Sequence, residues 1–379
     1  MSNRWVVLAT GTFAQATYSA IWFGVAVMAP FLRDRYGLSL GETGVLISAS
    51  LAGSVISLVP WGYATDAFGE RIVLALGIAG CGVALLAAGG VHAFWPLLAL
   101  LVAAGLLGAS VQSASGRAVM AAFPPEQRGL ALGIRQTAIP IAGFAVSIAV
   151  PHVARAGTGW GFATLGVACL VAAVVGGIVI ADAPVPEGGG TVDAPLRDSR
   201  LWRIALGSAF VVAPQMCVVG FTVLLLHDHR GLSAGRAGLV LAVVQLFGIA
   251  GRIGSGRWSD VTRSRLGPLR LIALADAVLV LVAAALLDAP LAALVPMLVV
   301  AGALSMSWNG LAFAAAIEVA GHRRSGVAIG LQQTVLNGFG AVYPGVFGAL
   351  VAATSWPVGF VAVATLPLAG WGLLRGLPG

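Results

Sequence analysis

Lysine is absent from these 379 residues, and charge of either sign is scarce: charged residues make up 9% of the chain. An ordinary soluble domain carries about 25%. A water-soluble globule of this length has too little charge to cover its surface with 21 basic and 14 acidic groups. That excludes the nuclease, nucleic-acid-binding and cytosolic-enzyme classes as first readings. Without Lys there is no G-x-x-x-x-G-K-[ST] phosphate loop, so this chain alone does not drive transport with ATP. No zincin motif and no nucleophile elbow occur, and neither an enzyme nor a cofactor is expected. Cysteine is almost as rare. Cys81, Cys169 and Cys217 lie far apart in apolar runs and form no CxxC and no Cys/His cluster. Neither a disulfide nor a metal site is expected from them. The lack of Lys also suggests GC-rich codon usage and a bacterial source.

What is present is apolar: 59% of the residues are hydrophobic, and 52 are Gly, which suits close helix packing in lipid. The expected solvent is the bilayer. A spanning helix needs roughly 20 mostly apolar residues. Trp5 to Leu32 is 28 residues without a formal charge. That exceeds a signal-peptide core of about 7–15 residues, so it reads as a retained first span. Two longer charge-free runs, Ile72–Gly116 and Ser325–Leu374, must each hold two spans. The whole chain reads as twelve: 6–32, 44–64, 72–91, 94–122, 130–151, 160–181, 203–226, 237–256, 270–287, 291–317, 326–351 and 358–374. The fold class is an all-α integral membrane protein. Between Asp182 and Arg200 the Pro-, Gly- and charge-rich segment APVPEGGGTVDAPLRDS reads as a flexible linker. It divides the chain into an N-terminal six-helix bundle (1–181), a cytoplasmic linker (182–200) and a C-terminal six-helix bundle (201–379). With the N-terminus inside, 13 Arg fall in inner loops and ends and 5 in outer loops. The excess predicts both termini in the cytoplasm of a multi-pass bacterial inner-membrane protein.

The two halves repeat. Leu32-Arg-Asp34-Arg-Tyr-Gly37-Leu38-Ser39 matches Leu226-His-Asp228-His-Arg-Gly231-Leu232-Ser233 at an offset of 194, which also pairs Gly62 and Asp66 with Gly256 and Asp260. Gly129-Leu-Ala-Leu-Gly133-Ile-Arg-Gln136-Thr137 matches Gly326-Val-Ala-Ile-Gly330-Leu-Gln-Gln333-Thr334 at an offset of 197. Six spans per half is an even number, so both halves share one orientation and are expected to be related by an axis along the membrane normal.

Twelve spans, a parallel 6+6 repeat and a central linker resemble the major facilitator superfamily. The family's loop between helices 2 and 3 reads roughly G-x-x-x-D-(R/K)-x-G-(R/K)-(R/K), and here it is Gly62-Tyr-Ala-Thr-Asp66-Ala67-Phe-Gly69-Glu70-Arg71. Ala67 and Glu70 stand where basic residues are usual, which predicts a weakened salt-bridge lock. The resemblance implies gating roles for Asp66, Arg71, Arg128 and Asp260, and Glu318, an intramembrane acid near the inner end of span 10, reads as joining that network with Arg323 or Arg324. The resemblance pairs the two Asp residues with Arg128 and with Arg323 or Arg324 when the inner side is closed, or else leaves them as solvated loop charges. It also implies alternating access around a midplane site between the halves.

Charges inside spans are costly and default to functional candidates. Arg252 lies in span 8, four residues before Gly256. That context is similar to the anion-binding Arg of monocarboxylate and oxalate/formate porters. The alternatives are snorkelling to the inner interface or pairing with Asp276 of span 9. Arg117 (span 4) and Arg135 (span 5) are substrate candidates or members of a structural network, and Ser113 shares a helix face with Arg117. Arg135 leads into Gln136-Thr137 and Pro140-Ile-Ala-Gly143, a fragment of a helix-5 pattern that the family links to antiporters. Tyr18, Trp22, Gln215, Asn309, Gln333 and Asn337 complete the solute candidates, with interhelical hydrogen bonding as the plainer reading of each. The first six spans hold no mid-span acid, which disfavours export of cationic drugs. Asp276 is the candidate proton carrier.

The expected function is uptake of a small organic anion, such as a monocarboxylate or aromatic acid, coupled to a proton, by a monomer in the lipid bilayer. Proton-coupled efflux of drugs or metabolites is the alternative, and a transport-dead sensor is a third class without a soluble domain to carry its signal.

Overall fold

The structure is a computed structural model. It describes residues 3–182 and 195–377, with the side chains of 40, 41, 234, 235 and 322 set aside. Most of the expected linker, 183–194, lies outside the described residues. Among the described residues every regular element is helical. Twelve helices among the described residues are long and apolar enough to cross a membrane. They are span 1 (Arg4–Tyr36), span 2 (Glu42–Phe68), span 3 (Glu70–Gly90), span 4 (Phe94–Ala122), span 5 (Pro125–Ala154), span 6 (Thr158–Val179), span 7 (Ser199–His229), span 8 (Arg236–Thr262), span 9 (Leu266–Ala285), span 10 (Leu291–Ala320), span 11 (Ser325–Ala353) and span 12 (Trp356–Leu374). Most run a few residues beyond the charge-free cores, because polar ends continue the helix. The Asn3 side chain accepts from the Trp5 N–H, and Arg33 and Arg35 occupy the last turn of span 1.

The first repeated block is a turn. Gly37 and Gly231 adopt φ of 63° and 66°, which only Gly takes without cost, and each ends a helix there. Two residues on, Ser39 caps the next helix in a capping box with Glu42, and the Ser233 hydroxyl accepts from the Arg236 N–H at 3.4 Å. The match at offset 194 therefore records a helix stop and a helix start.

The chain forms two compact units. One consists of Met1–Pro124, Ile134–Leu196 and Ala320–Thr334; the other of Pro125–Gly133, Arg197–Val319 and Val335–Gly379. The first nine residues of span 5 thus fold with the second half's helices, and the start of span 11 folds with the first half's. Inside each unit the packing repeats. Span 3 lies on spans 4 and 6 and span 2 on span 4 in the first; span 9 lies on spans 10 and 12 and span 8 on span 10 in the second. Close approach between spans 3 and 6 needs Gly. A Cβ at Gly82 would stand 2.8 Å from the Gly166 carbonyl oxygen.

The helices are interrupted where the repeat is polar. Span 4 breaks at Ala109 and span 10 at Met306-Ser307-Trp308, a pair of breaks related by the offset of 197. Span 5 breaks at Thr137, and span 7 widens into π turns at Gln215–Val219 and Leu225–His229.

Candidate functional site

Two carboxylates each cap the start of a distant helix. In the first unit, Asp66 Oδ1 accepts from the Gly326 N–H at 2.9 Å and Oδ2 from the Val327 N–H at 3.1 Å. In the second, Asp260 Oδ1 accepts from the Gly129 N–H at 2.9 Å and Oδ2 from the Leu130 N–H at 2.8 Å. Amides in the first turn of a helix have no partner inside it, and the N-terminal dipole favours an anion. Both contacts need Gly on both sides. A Cβ at Gly62 would lie 2.5 Å from the Gly326 carbonyl oxygen, and one at Gly129 equally close to that of Gly256. The two repeated sequence blocks are therefore partners, joined crosswise: span 2 of the first half holds span 11, and span 8 of the second half holds span 5.

Each carboxylate also has an Arg. Arg117 Nη1 lies 3.2 Å from Asp66 Oδ1, and its Nε lies 3.0 Å from Glu70 Oε1. Arg265 Nη1 lies 2.5 Å from Asp260 Oδ1, its Nε 2.9 Å from Glu318 Oε1, and its Nη2 donates to the Pro125 carbonyl at 2.6 Å. These partners differ from the expected ones. Arg117, read as a solute candidate or a member of a structural network, sits in the ion-pair cluster. Glu70, read as a weakening replacement, supplies a second carboxylate to it. Arg324 adds only a longer-range charge at Asp66. Arg128 opens the helical part of span 5 near the charges of Glu318, Glu126 and Arg265. Arg71 is turned away from Asp66: its Nε donates to the Gly177 carbonyl at 2.6 Å, tying span 3 to the end of span 6.

Arg135 is enclosed in the first unit, 1% exposed. Its Nε donates to Ser115 Oγ at 3.0 Å. Its Nη2 donates to Gln15 Oε1 at 2.8 Å, to the Gln112 carbonyl at 3.1 Å, and more weakly to Gln112 Oε1 and the Val111 carbonyl. Every acceptor is neutral, none of these bonds uses Nη1, and among the described residues no carboxylate pairs with Arg135. A guanidinium keeps its proton in a protein, so this is a buried positive charge held by dipoles alone. Gln112 and Ser115 were not anticipated; their signal is spacing, since they lie three residues apart on span 4 and share a face. Arg252, in the second unit, is also 1% exposed. Its carbonyl accepts from Ser255 Oγ at 3.2 Å and lies against Gly133.

The neutral candidates divide. The Tyr18 hydroxyl is taken by Ser54, and its ring meets Trp22 edge-on at 5.2 Å. Trp22 Nε1 has no hydrogen-bond partner among the described residues, and the same holds in the second unit for Gln215 Oε1, Asn309 Oδ1 and Asn337 Nδ2. Gln215 lies in the π turn of span 7, whose neighbouring Met216 and Cys217 pack on Gly340 and Tyr343 of span 11. A π turn displaces one residue from the helical register and is frequent at functional positions. Gln333 is buried near the start of span 11. Asp276 is wholly buried, and neither carboxylate oxygen has a hydrogen-bond partner among the described residues.

Among the described residues, twelve candidate spans, helix-capping carboxylates on a repeated loop and a buried unneutralised cation describe a polytopic membrane protein. The sequence profile of the Major Facilitator Superfamily matches residues 11–344. An uncharacterised MFS-type transporter of Mycobacterium tuberculosis is 35% identical over 371 residues, covering 97% of this chain and 83% of that protein. A probable sulfoacetate transporter of Cupriavidus necator is 25% identical over 359 residues, covering 87% of this chain and 83% of that protein. Among solved structures, the proton:xylose symporter XylE matches with a TM-score of 0.77 at 15% identity, covering 99% of this chain and 96% of its own. The human organic anion transporter MFSD10 matches with 0.77 at 13%, covering 99% and 100%. The chain belongs to the major facilitator superfamily, and its fold is the family's pair of six-helix bundles.

Proposed function

We propose that this transporter carries a small organic anion, coupled to a proton, by alternating access in a bacterial inner membrane with both termini in the cytoplasm. The observation that carries the reading is Arg135: a buried guanidinium whose partners are all neutral. A solute carboxylate or sulfonate supplies the missing negative charge, and the planar fork of Arg favours a bidentate contact. Arg252, in the second unit, is a second cation candidate for the solute. Trp22 and Gln333 in the first unit, and Gln215, Asn309 and Asn337 in the second, are each candidates for neutral or aromatic contacts. Arg117 is left out of the solute set because Asp66 and Glu70 already neutralise it. The relative described as a sulfoacetate transporter agrees in substrate class, since sulfoacetate is a small organic anion.

The two capping carboxylates close the cytoplasmic side. Transport releases them, freeing the starts of spans 5 and 11 to leave spans 8 and 2. Asp276 is the proton carrier. Span 12 and the Leu291–Ser305 part of span 10, both packed on span 9, contain no ionisable side chain. A neutral carboxyl is tolerable in such a place and an unpaired carboxylate is costly. The reading is tested by uptake of radiolabelled benzoate or sulfoacetate into proteoliposomes with an imposed pH gradient. Wild-type protein is expected to accumulate solute when the outside is acidic. Asp276→Asn is expected to bind solute normally yet show no gradient-driven accumulation. Gradient-driven accumulation by Asp276→Asn at the wild-type level would remove the proton role.

A further inference from the structure

We propose that a groove between spans 1 and 5 holds an acyl chain of an anionic phospholipid, with the lipid phosphate on Arg4. The groove has a volume of about 460 Å³ and is lined on span 1 by Trp5, Ala9, Thr12 and Phe13 and on span 5 by Ile134 and Ala138. It opens to the outside of the helices, since Trp5 and Phe13 are 46% and 40% exposed. The Thr12 hydroxyl in this lining donates to the Leu8 carbonyl at 2.7 Å and asks nothing of an occupant. From Trp5 to Phe13 the groove follows span 1 for about 12 Å, at 1.5 Å per residue. Hydrocarbon filling an apolar groove of this length gains dispersion contacts along its whole lining, and walls of this kind offer water few hydrogen-bond partners. On a membrane-spanning helix the material at hand to fill it is hydrocarbon.

The mouth selects the headgroup. Arg4 is exposed, and its guanidinium carbon stands 5.8 Å from the Trp5 ring centroid and 5.7 Å from that of Phe123. The two rings meet edge-to-face at 5.3 Å. Two ring contacts favour one placement of the guanidinium beside the groove, and a placed fork suits a phosphate better than a mobile charge does. Arg4 is the first residue of span 1, at the end of the helix where a lipid headgroup lies when its tail runs down the helix. The occupant would also bear on the solute path. Ile134 and Ala138 flank the break of span 5 at Thr137, and Ile134 directly precedes Arg135. A chain in the groove presses on both sides of that break.

The test is native mass spectrometry of the delipidated full-length protein, titrated with dioleoyl phosphatidylglycerol and, separately, dioleoyl phosphatidylcholine. Wild type is expected to retain one phosphatidylglycerol and to prefer it over phosphatidylcholine by about tenfold, the size of one charge-assisted contact. Ala9→Trp fills the groove from an exposed position and is expected to remove binding of both lipids. Arg4→Ala leaves the groove open and is expected to bind both lipids alike. Undiminished phosphatidylglycerol on Ala9→Trp overturns the groove, and an unchanged preference in Arg4→Ala overturns the headgroup contact. A wild-type dimer that Ala9→Trp separates would show that a second copy, not a lipid, covers this face.

Discussion

Arg135→Ala protein, folded and inserted, is expected to bind a carboxylate solute about 10- to 150-fold more weakly than wild type. Removing a hydrogen bond to a charged group costs on the order of 1.5–3 kcal/mol, which is that range in affinity. The reason lies in what Arg135 already has. Ser115, Gln15 and the Val111 and Gln112 oxygens orient the guanidinium, so little order remains to be imposed when a solute arrives. They do not neutralise it, so the charge remains available to an anion. Arg135→Lys is expected to recover little, because an ammonium cannot donate in a planar fork. Gln112→Ala removes an orienting group and keeps the charge, so its loss should be smaller. Equilibrium binding of benzoate or sulfoacetate to the three variants checks this order. Arg135→Ala with wild-type affinity removes Arg135 from the solute site.

The second large effect concerns the crosswise caps. In Asp66→Ala, the Gly326 and Val327 amides are expected to exchange with solvent deuterium about 10- to 150-fold faster than in wild type. Span 11 begins at Ser325, so these amides lie in its first turn and no carbonyl of that helix reaches them. Asp66 is their acceptor, and two charge-assisted bonds are lost together. The Gly129 and Leu130 amides hang from Asp260 instead and should keep their protection. Asp260→Ala should give the mirror result. Gly62→Val reaches the same end by another route, because its Cβ meets backbone at 2.5 and 2.8 Å and backbone cannot turn aside. Unchanged exchange at Gly326 and Val327 in Asp66→Ala would show that the cap does not hold span 11.

The spans were legible because lipid imposes one rule, a run of about 20 apolar residues, and the described residues obey it twelve times. The repeat was legible too, and its turn block has a local cause in Gly37, Ser39, Gly231 and Ser233. What the repeat did not reveal is that its blocks touch each other. Gly62 and Asp66 meet Gly326, and Gly256 and Asp260 meet Gly129, contacts separated by more than 120 residues that no local pattern encodes. The Arg residues show the same limit. The shared face of Ser113 and Arg117 was correct as helix geometry. Both side chains reach Thr65, Ser113 through its hydroxyl at 3.0 Å and Arg117 through the carbonyl at 2.8 Å. Periodicity names a face but not its neighbour. Glu70 illustrates the converse: read against a motif it is a departure, and against Arg117 at 3.0 Å it is a partner. The environment of Arg135 was hidden for the same reason, since Gln15, Gln112 and Ser115 come from two other spans.

The central claim is that the solute is an anion. It is tested most directly by a series in which charge is nearly the only variable: benzoate, benzamide and benzamidine, with sulfoacetate beside them, each measured by thermal shift on purified wild-type protein. A ligand that binds only the folded state raises the melting temperature in proportion to its occupancy. Benzoate or sulfoacetate is expected to raise it, benzamide to raise it less, and cationic benzamidine to leave it unchanged, because Arg135 repels it. A larger shift with benzamidine than with either anion would contradict the anion reading and bring cation efflux forward in its place.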